Sequence, residues 1–236
     1  MEIAGQIVVV TGASRGLGRS LVEALLERGA AKVYATTRNG SLAHPDPRVV
    51  PLALALDDRT TITVAARAAS DARIIINNAG TAAFAGALEA DRAALRHEMD
   101  VNYGGTLDVI RAFVPVLERN GGGAIVNVLS LLSLASTPPM AGYSASKAAA
   151  HSLTQALRPV LRAQGISVHG VYPAGIDTDM LAGIDAPKSP PATVAEGLLD
   201  GLAADEEDIF PDPNARAMAE TWWSNPKSFE RAFAGS

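Results

Sequence analysis

The 236-residue chain has no cysteine, which excludes disulfides, thiolate metal sites and cysteine nucleophiles. Aromatic residues are scarce at 5% and charged residues reach 19%, against 48% hydrophobic. That balance fits an ordinary globular chain and excludes disorder or a long coiled coil. Positive charge is in deficit, with 20 Lys and Arg facing 25 Asp and Glu, a formal net charge of −5. The total gives no general attraction to nucleic acid or to an anionic membrane, so any phosphate site has to be local. The start, MEIAGQIVVV, lacks a basic stretch ahead of a long apolar one, and no apolar run approaches the ~20 residues that span a bilayer. The expectation is a cytoplasmic protein with neither a nucleic-acid nor a membrane partner. Histidines 44, 97, 151 and 169 stand singly without ligand spacing, so no metal is expected. The acidic run Asp205 to Asp208 lacks the alternating oxygen ligands and glycine turn of a calcium loop and reads as a solvated loop.

Strand and helix patterns alternate along the chain. Gln6 to Val10 is a short β-branched run that stops at TGASRGLG, and LGRSLVEALLERG then shows helical spacing up to Gly29. KVYATT and VVPLALAL read as strands, DRTTITVAARAAS as a helix, and ARIIINNAG as a buried strand that breaks at Gly80. Asp91 to Arg119 follows as one long helix, GGGAIVNVLS as a fifth strand, Tyr143 to Gln164 as a helix and ISVHGVYP as a sixth strand. Continuous apolar strands alternating with helices predict an α/β fold, a doubly wound parallel sheet with helices on both faces, in a single domain over residues 1–236. Pro159 predicts a kink or an early end of its helix. Beyond Pro173 the chain turns irregular, with a candidate substrate loop at about 178–195 and a tail at about 211–236. Thr193 and Glu196 have capping-box spacing and predict a helix start, and EEDIFPD predicts a last short edge strand.

The glycines of TGASRGLG fall at 12, 16 and 18, which is not the G-x-G-x-x-G spacing of the common dinucleotide fingerprint. The physics is the same: glycine admits a pyrophosphate close to the backbone, and the following helix start offers free N–H groups and a positive dipole end. An unliganded strand-to-helix turn accounts for the octapeptide equally well. At the end of the second strand, where a carboxylate would bind the ribose hydroxyls of NAD, the residues are Thr36, Thr37 and Arg38. Arg15 and Arg38 can flank a 2′-phosphate, which favours NADP(H) over NAD(H); the bland alternative is two solvated loop charges.

In AGYSASKAAA, Tyr143 and Lys147 are four apart and share a helix face. An ammonium near a phenol stabilises the phenolate and moves its pKa down toward the working range of a proton donor. Any isolated Tyr-x-x-x-Lys also fits a plain surface contact.

TGASRGLG, NNAG at 77–80, Asn102 in DVNYGG, Ser130 in IVNVLS and YSASK occur in an order that resembles the short-chain dehydrogenase/reductase family, and VYPAGIDTDM resembles its segment after the sixth strand. The resemblance implies a Rossmann-like fold and an NADP(H)-dependent oxidoreductase interconverting a ketone or aldehyde and an alcohol. It implies that Ser130 orients the substrate oxygen, Tyr143 is the general acid, Lys147 holds the nicotinamide ribose and lowers the Tyr143 pKa, and Asn102 supports a water-linked proton path to Lys147. Cofactor contacts carried over from it are Gly12, Ser14, Arg15, Gly16, Leu17 and Gly18 in the turn, Thr37 and Arg38 after the second strand, and Leu56 and Asp57 at the adenine. Asn78, Ala79 and Gly80, Tyr143 and Lys147, and Pro173, Ala174, Gly175, Ile176 and Thr178 complete that set.

The resemblance further implies a homodimer or homotetramer, and the apolar LLSLASTPPM predicts a small hydrophobic carbonyl or alcohol substrate. A non-catalytic NADP(H)-binding regulator on the same fold is the alternative. Two departures stand out: Pro173-Ala174 replaces the usual Pro-Gly, and the C-terminal region lacks a glycine-rich ending. Trp222 and Trp223 in that region fit a cover over the substrate, a subunit contact or simple docking of the tail.

Overall fold

The computed structural model describes residues 1–234, so the last two residues of the predicted tail lie outside the described ones. Seven parallel strands form one sheet in the order β3-β2-β1-β4-β5-β6-β7. They are β1 (Ile7–Val10), β2 (Lys32–Thr37), β3 (Val49–Ala53), β4 (Ile74–Asn77), β5 (Gly123–Val128), β6 (Ile166–Val171) and β7 (Asp208–Ile209). The helices are α1 (Gly16–Glu27), α2 (Arg59–Ala68), α3 (Arg92–Met99), α4 (Thr106–Arg119), α5 (Ala141–Arg162), α6 (Pro191–Ala203), α7 (Pro213–Ser224) and α8 (Pro226–Ala234).

The central strands are apolar throughout because both faces are covered. Val8, Val10, Ile74, Ile76 and Val126 point to the face packed by Leu21 and Leu25 of α1 and Leu198 and Leu202 of α6. The alternate residues Val9, Ile75 and Ile125 meet Ile62 of α2 and Phe113 and Leu117 of α4 on the other. Each such side chain, fully buried, contributes ~1.5–3 kcal/mol. The chain leaves β1 toward β2 and β3, then crosses back to β4, so a crevice opens beyond the carboxyl ends of β1 and β4. Among the described residues no helix is long and apolar enough to cross a membrane.

Local structure departs from the sequence reading in four places. The stretch from Asp91 to Arg119 is α3 and α4 with a π-helical turn over Asp100–Gly105 between them. A Cβ on Gly105 would lie 2.6 Å from both the Leu56 carbonyl oxygen and its Cβ, so the widened turn needs glycine where it passes under that loop. Second, α5 runs through Pro159 to Arg162 rather than ending early. Pro159 and Gln155, whose carbonyl the missing N–H frees, are both exposed, so that group is open to solvent rather than orphaned in the core. Third, α6 begins at Pro191, not Thr193, on a proline whose φ suits the first helical position. Glu196 does not cap it but pairs with Arg28 at the end of α1, which also binds Asp200 at 2.7 Å. Fourth, only part of the acidic run is a solvated loop: Asp208 opens the predicted edge strand and binds Arg158 at 2.6 Å, and Glu207 binds Arg162 at 2.6 Å.

The tail folds back as α7 and α8, whose Ala215, Ala219 and Phe229 join Leu129, Leu131, Tyr172 and Phe210 in a third core cluster. Its attachment point is Asp212, fully buried, which accepts from Ser189 Oγ at 3.0 Å and from the amides of Ala174 and Ala215 at 3.1 Å each. One carboxylate thus caps α7, fixes the turn after β6 and holds the end of the segment before α6. Asp212→Ala leaves three buried donors unpaired at ~1–3 kcal/mol each before relaxation. We expect a net loss of about 3 kcal/mol, read as a melting temperature roughly 6–12 °C lower; a shift below about 2 °C on the same scale would rule out this anchoring role.

Candidate active site

Two turns interlock at the head of the crevice. Thr11 Oγ1 accepts the amides of Asn78 at 2.9 Å and Ala79 at 3.0 Å, and Asn78 Nδ2 donates to the Thr11 carbonyl at 2.9 Å. A Cβ on Gly18 would overlap the Gly12 carbonyl and lie 2.7 Å from Asn78 Nδ2, so that position has no room for a side chain. Gly12 and Gly16 have φ of +68° and +53°, left-handed values that favour glycine. The turn delivers the chain into α1 with no side-chain cap at Arg15 and no acid in its first turn, whereas Asp58, Asp91 and Asp212 cap α2, α3 and α7. The first N–H groups of α1 are thereby left for an outside acceptor, and together with the glycine cradle they fit a dinucleotide pyrophosphate.

Of the other predicted cofactor residues, Ser14, Arg38 and Asp57 are exposed and Leu56 is half-buried, while the Leu17 side chain belongs to the core and leaves only its amide for a ligand. Thr37 Oγ1 is bonded to Asn39 Oδ1 at 3.3 Å. Arg15 pairs with Asp179 at 3.1 Å across the mouth of the turn, where both side chains are about three-quarters exposed; such a pair is weak. Thr178 comes over the same turn: its Cγ2 is 3.0 Å from where a Cβ on Gly16 would sit. At the Pro173-Ala174 departure, the Ala174 amide donates to Asp212 at 3.1 Å and the Pro173 carbonyl accepts from the Leu131 amide at 3.1 Å.

Ser130, Tyr143, Lys147 and Asn102 come together beyond β4 and β5. Ser130 starts a short 3-10 turn, Leu131–Ser133, its Oγ accepting the Leu132 amide at 3.1 Å while Ser133 Oγ accepts the amide of Ser130. Lys147 is buried and donates to the Val128 carbonyl at 2.8 Å, with its Nζ 5.8 Å from the centre of the Tyr143 ring. Burial pulls the ammonium pKa down to about 8. Burial also pushes the Tyr143 phenol up to about 12; Ser130 beside it pulls down and the Glu98 carboxylate pushes up. Desolvation therefore dominates where a lowering by Lys147 was expected, and the ammonium is tied to a backbone carbonyl rather than to the phenol.

Asn102 uses its whole amide: Oδ1 accepts from the Thr81 amide at 2.9 Å, and Nδ2 donates to the Thr81 carbonyl at 2.8 Å and to Ser146 Oγ at 2.9 Å. Ser146 in turn donates to the Tyr143 carbonyl at 2.7 Å. A Cβ on Gly80 would sit 3.0 Å from Asn102 Oδ1 and 3.7 Å from Lys147 Nζ, so this glycine keeps the space between them open. Below them Asn77 Nδ2 donates to Asn127 at 2.8 Å and Asn127 Nδ2 to Thr154 at 2.9 Å, a buried ladder that fixes α5 on the sheet. Ser146, Glu98 and Asp212 are the residues that the sequence reading missed. Their signals were spacing alone: Ser146 one turn after Tyr143, and Glu98 one turn before Asn102.

A cavity of about 680 Å³ opens between Leu134, Ala135 and Pro138, just after the Ser130 turn, and Trp222, Lys227 and Glu230 of the tail. Trp222 lines it while packing toward Phe210, and Trp223 is largely exposed. The arrangement joins a glycine-lined phosphate cradle to a hydroxyl, a phenol and an ammonium that can hold an oxygen and move a proton.

Comparison with known proteins assigns the family and the fold. The family model described as short chain dehydrogenase matches residues 6–189. An uncharacterised oxidoreductase of Staphylococcus saprophyticus is 31% identical over 218 residues, covering 86% of this chain and 93% of that protein. A short chain dehydrogenase from Burkholderia cenocepacia, solved in complex with NADP, superimposes with a TM-score of 0.94 at 40% identity and 99% coverage of both chains. A short chain dehydrogenase/reductase from Burkholderia phymatum, solved with NAD, gives 0.81 at 25% identity, covering 96% of this chain and 98% of that one. Glycine cradle, switch-point crevice and family match converge on one conclusion: the chain belongs to the short-chain dehydrogenase family of oxidoreductases.

Proposed function

We propose that the protein is an NADP(H)-dependent oxidoreductase that interconverts a small apolar ketone or aldehyde and the corresponding alcohol. The observation that carries this reading is the meeting of Ser130, Tyr143 and Lys147 beside the glycine-lined crevice. When bound, the nicotinamide supplies or accepts the hydride. In reduction, the Ser130 hydroxyl holds the carbonyl oxygen and Tyr143 gives it the phenolic proton. The pKa of about 12 means that the phenol enters this step protonated at neutral pH. Lys147 stabilises the phenolate as it forms, from a fixed position on the Val128 carbonyl. Asn102 and Gly80 keep the neighbouring space open for the proton path to Lys147.

NADP(H) rather than NAD(H) is supported by the absence of a carboxylate at the end of β2 and by the exposed Arg38, which makes no ion pair among the described residues. Arg15 can leave its weak pair with Asp179 to serve the same phosphate. The NADP complex of the B. cenocepacia relative points the same way, while the NAD complex from B. phymatum shows that the wider fold serves either cofactor. The apolar Leu134, Ala135 and Pro138 beside the Ser130 turn support a small hydrophobic substrate. A single cytoplasmic domain assembling as a homodimer or homotetramer completes the reading, on the family's precedent.

Two measurements test it. Tyr143→Phe should lower kcat at least ~10³-fold against a carbonyl panel while NADPH still binds with unchanged Kd by fluorescence; retained turnover would overturn the assignment. Native enzyme should use NADPH better than NADH, and Arg38→Ala should raise KM for NADPH about tenfold or more by removing a charge-assisted bond, with NADH unaffected. Equal losses with both cofactors would show that Arg38 does not read the 2′-phosphate.

A further inference from the structure

Glu98 is the buried charge that the proposed reaction leaves unused. It lies on α3 with 2% of its surface exposed, and among the described residues no Lys, Arg or His forms an ion pair with it. Its Oε1 accepts the Ala83 amide at 2.7 Å. Its Oε2 is packed so closely on Gly142, the residue before Tyr143, that a Cβ there would overlap it and come within 2.5 Å of Leu95 Cδ2. Glu98 is four residues before Asn102, and the two residues hold alternate positions of one extended segment: Asn102 binds Thr81 and Glu98 binds Ala83.

We propose that Glu98 is a positioning residue of this active site: its carboxylate clamps the segment Thr81–Ala83 to the first turn of α5, and its charge, unpaired beside Tyr143, biases the site toward donating a proton. The clamp follows from the contacts. The charge calls for an account beyond its place at the first turn of α5, which donates no amide to it among the described residues, because glutamine would offer the same acceptor and nearly the same volume without the cost of burying an anion. The charged groups acting on the phenol are Lys147 on its own helix and Glu98 from α3, beside the neutral hydroxyl of Ser130 from the turn after β5; the segment from Gly80 to Ala83 contributes none. Of these, Glu98 alone disfavours the phenolate. Its effect is to keep Tyr143 in the form needed to protonate a carbonyl, at the expense of the form that would deprotonate an alcohol. This deepens the proposed function and rests on it for the direction of turnover, though not for the titration itself.

The test is Glu98→Gln beside Glu98→Ala. Titration of Tyr143 by ring-carbon NMR on labelled tyrosine, with its signal assigned by loss in Tyr143→Phe, should show the Gln midpoint lower by roughly 0.5–1 pH unit, or about three- to tenfold more phenolate at a given alkaline pH. The acid limb of alcohol oxidation should move down with it, with substrate KM changed less than about twofold. Glu98→Ala should also lower kcat about tenfold or more by releasing Ala83, a loss that Gln largely restores. If the folded Gln variant titrates like the parent, the charge role is wrong; if Ala and Gln are equally active, the clamp is wrong. A shifted titration in a protein that reduces no carbonyl would refute the proposed reaction and leave the electrostatic role of Glu98 standing.

Discussion

The contact on which the site depends is the backbone approach of the turn after β1 to the turn after β4. It is set by Gly18 lying against the Gly12 carbonyl and by three hydrogen bonds to Thr11 across the gap, two from Asn78 and one from the Ala79 amide. With that junction closed, α1 starts directly over the carboxyl end of β1 with its first N–H groups uncapped. The same junction fixes Gly80, and with it the space between Asn102 and Lys147 on the opposite wall. The glycine cradle and the groups to which proton transfer is assigned in the proposed function are thus two ends of one joint, as that reaction requires when cofactor and acid must meet the same carbon and oxygen.

Desolvation then sets the chemistry. Burial opposes charge on both Tyr143 and Lys147, pushing the phenol up to about 12 and the ammonium down to about 8. An ammonium held 5.8 Å from the centre of the ring does little for a neutral phenol and much more for a phenolate in a poorly hydrated site. In the proposed reaction its contribution therefore grows as the proton leaves, and a contribution of that kind raises kcat rather than ground-state binding.

Much of this was legible in the sequence because it rests on residue type and chain order. Parallel strands declare themselves as IVVV and IIIN, glycine marks the turns, and Tyr143 and Lys147 share a helix face by spacing, whereas Ser130 and Asn102 are singled out by the resemblance to the short-chain dehydrogenase/reductase family. The failures are equally physical. Pro159 had no effect on helix length because its face is exposed, a fact about tertiary placement. Glu196 had the spacing of a cap but found Arg28 from another helix. The π-helical turn at Asp100–Gly105 lies inside a stretch that reads as one helix, although DVNYGG is rich in poor helix formers; within it Asn102 reaches Thr81 with both amide atoms and Gly105 passes under Leu56, contacts that the sequence does not display. The tyrosine pKa moved opposite to the expected direction because spacing reports a neighbour and not the water excluded from both.

Glu98 and Asp212 show what such spacing arguments miss. Each is a buried carboxylate served only by neutral donors among the described residues, and each ties a loop of the crevice to a helix: Ala83 to α3, and Ala174 with Ser189 to α7. An anion is an expensive way to tie a loop when a neutral acceptor would reach the same amides. At Asp212 the start of α7 repays part of that cost, since its amide and dipole face the carboxylate. At Glu98 no cation does so, and the first turn of α5 lies against the carboxylate at Gly142 with no amide hydrogen bond to it among the described residues; in the proposed reading the group that experiences the charge is the phenol one residue beyond. Both carboxylates therefore sit at a helix start, but Asp212 is bonded to the first turn of α7 while Glu98 only packs on that of α5, which leaves its charge the less compensated of the two.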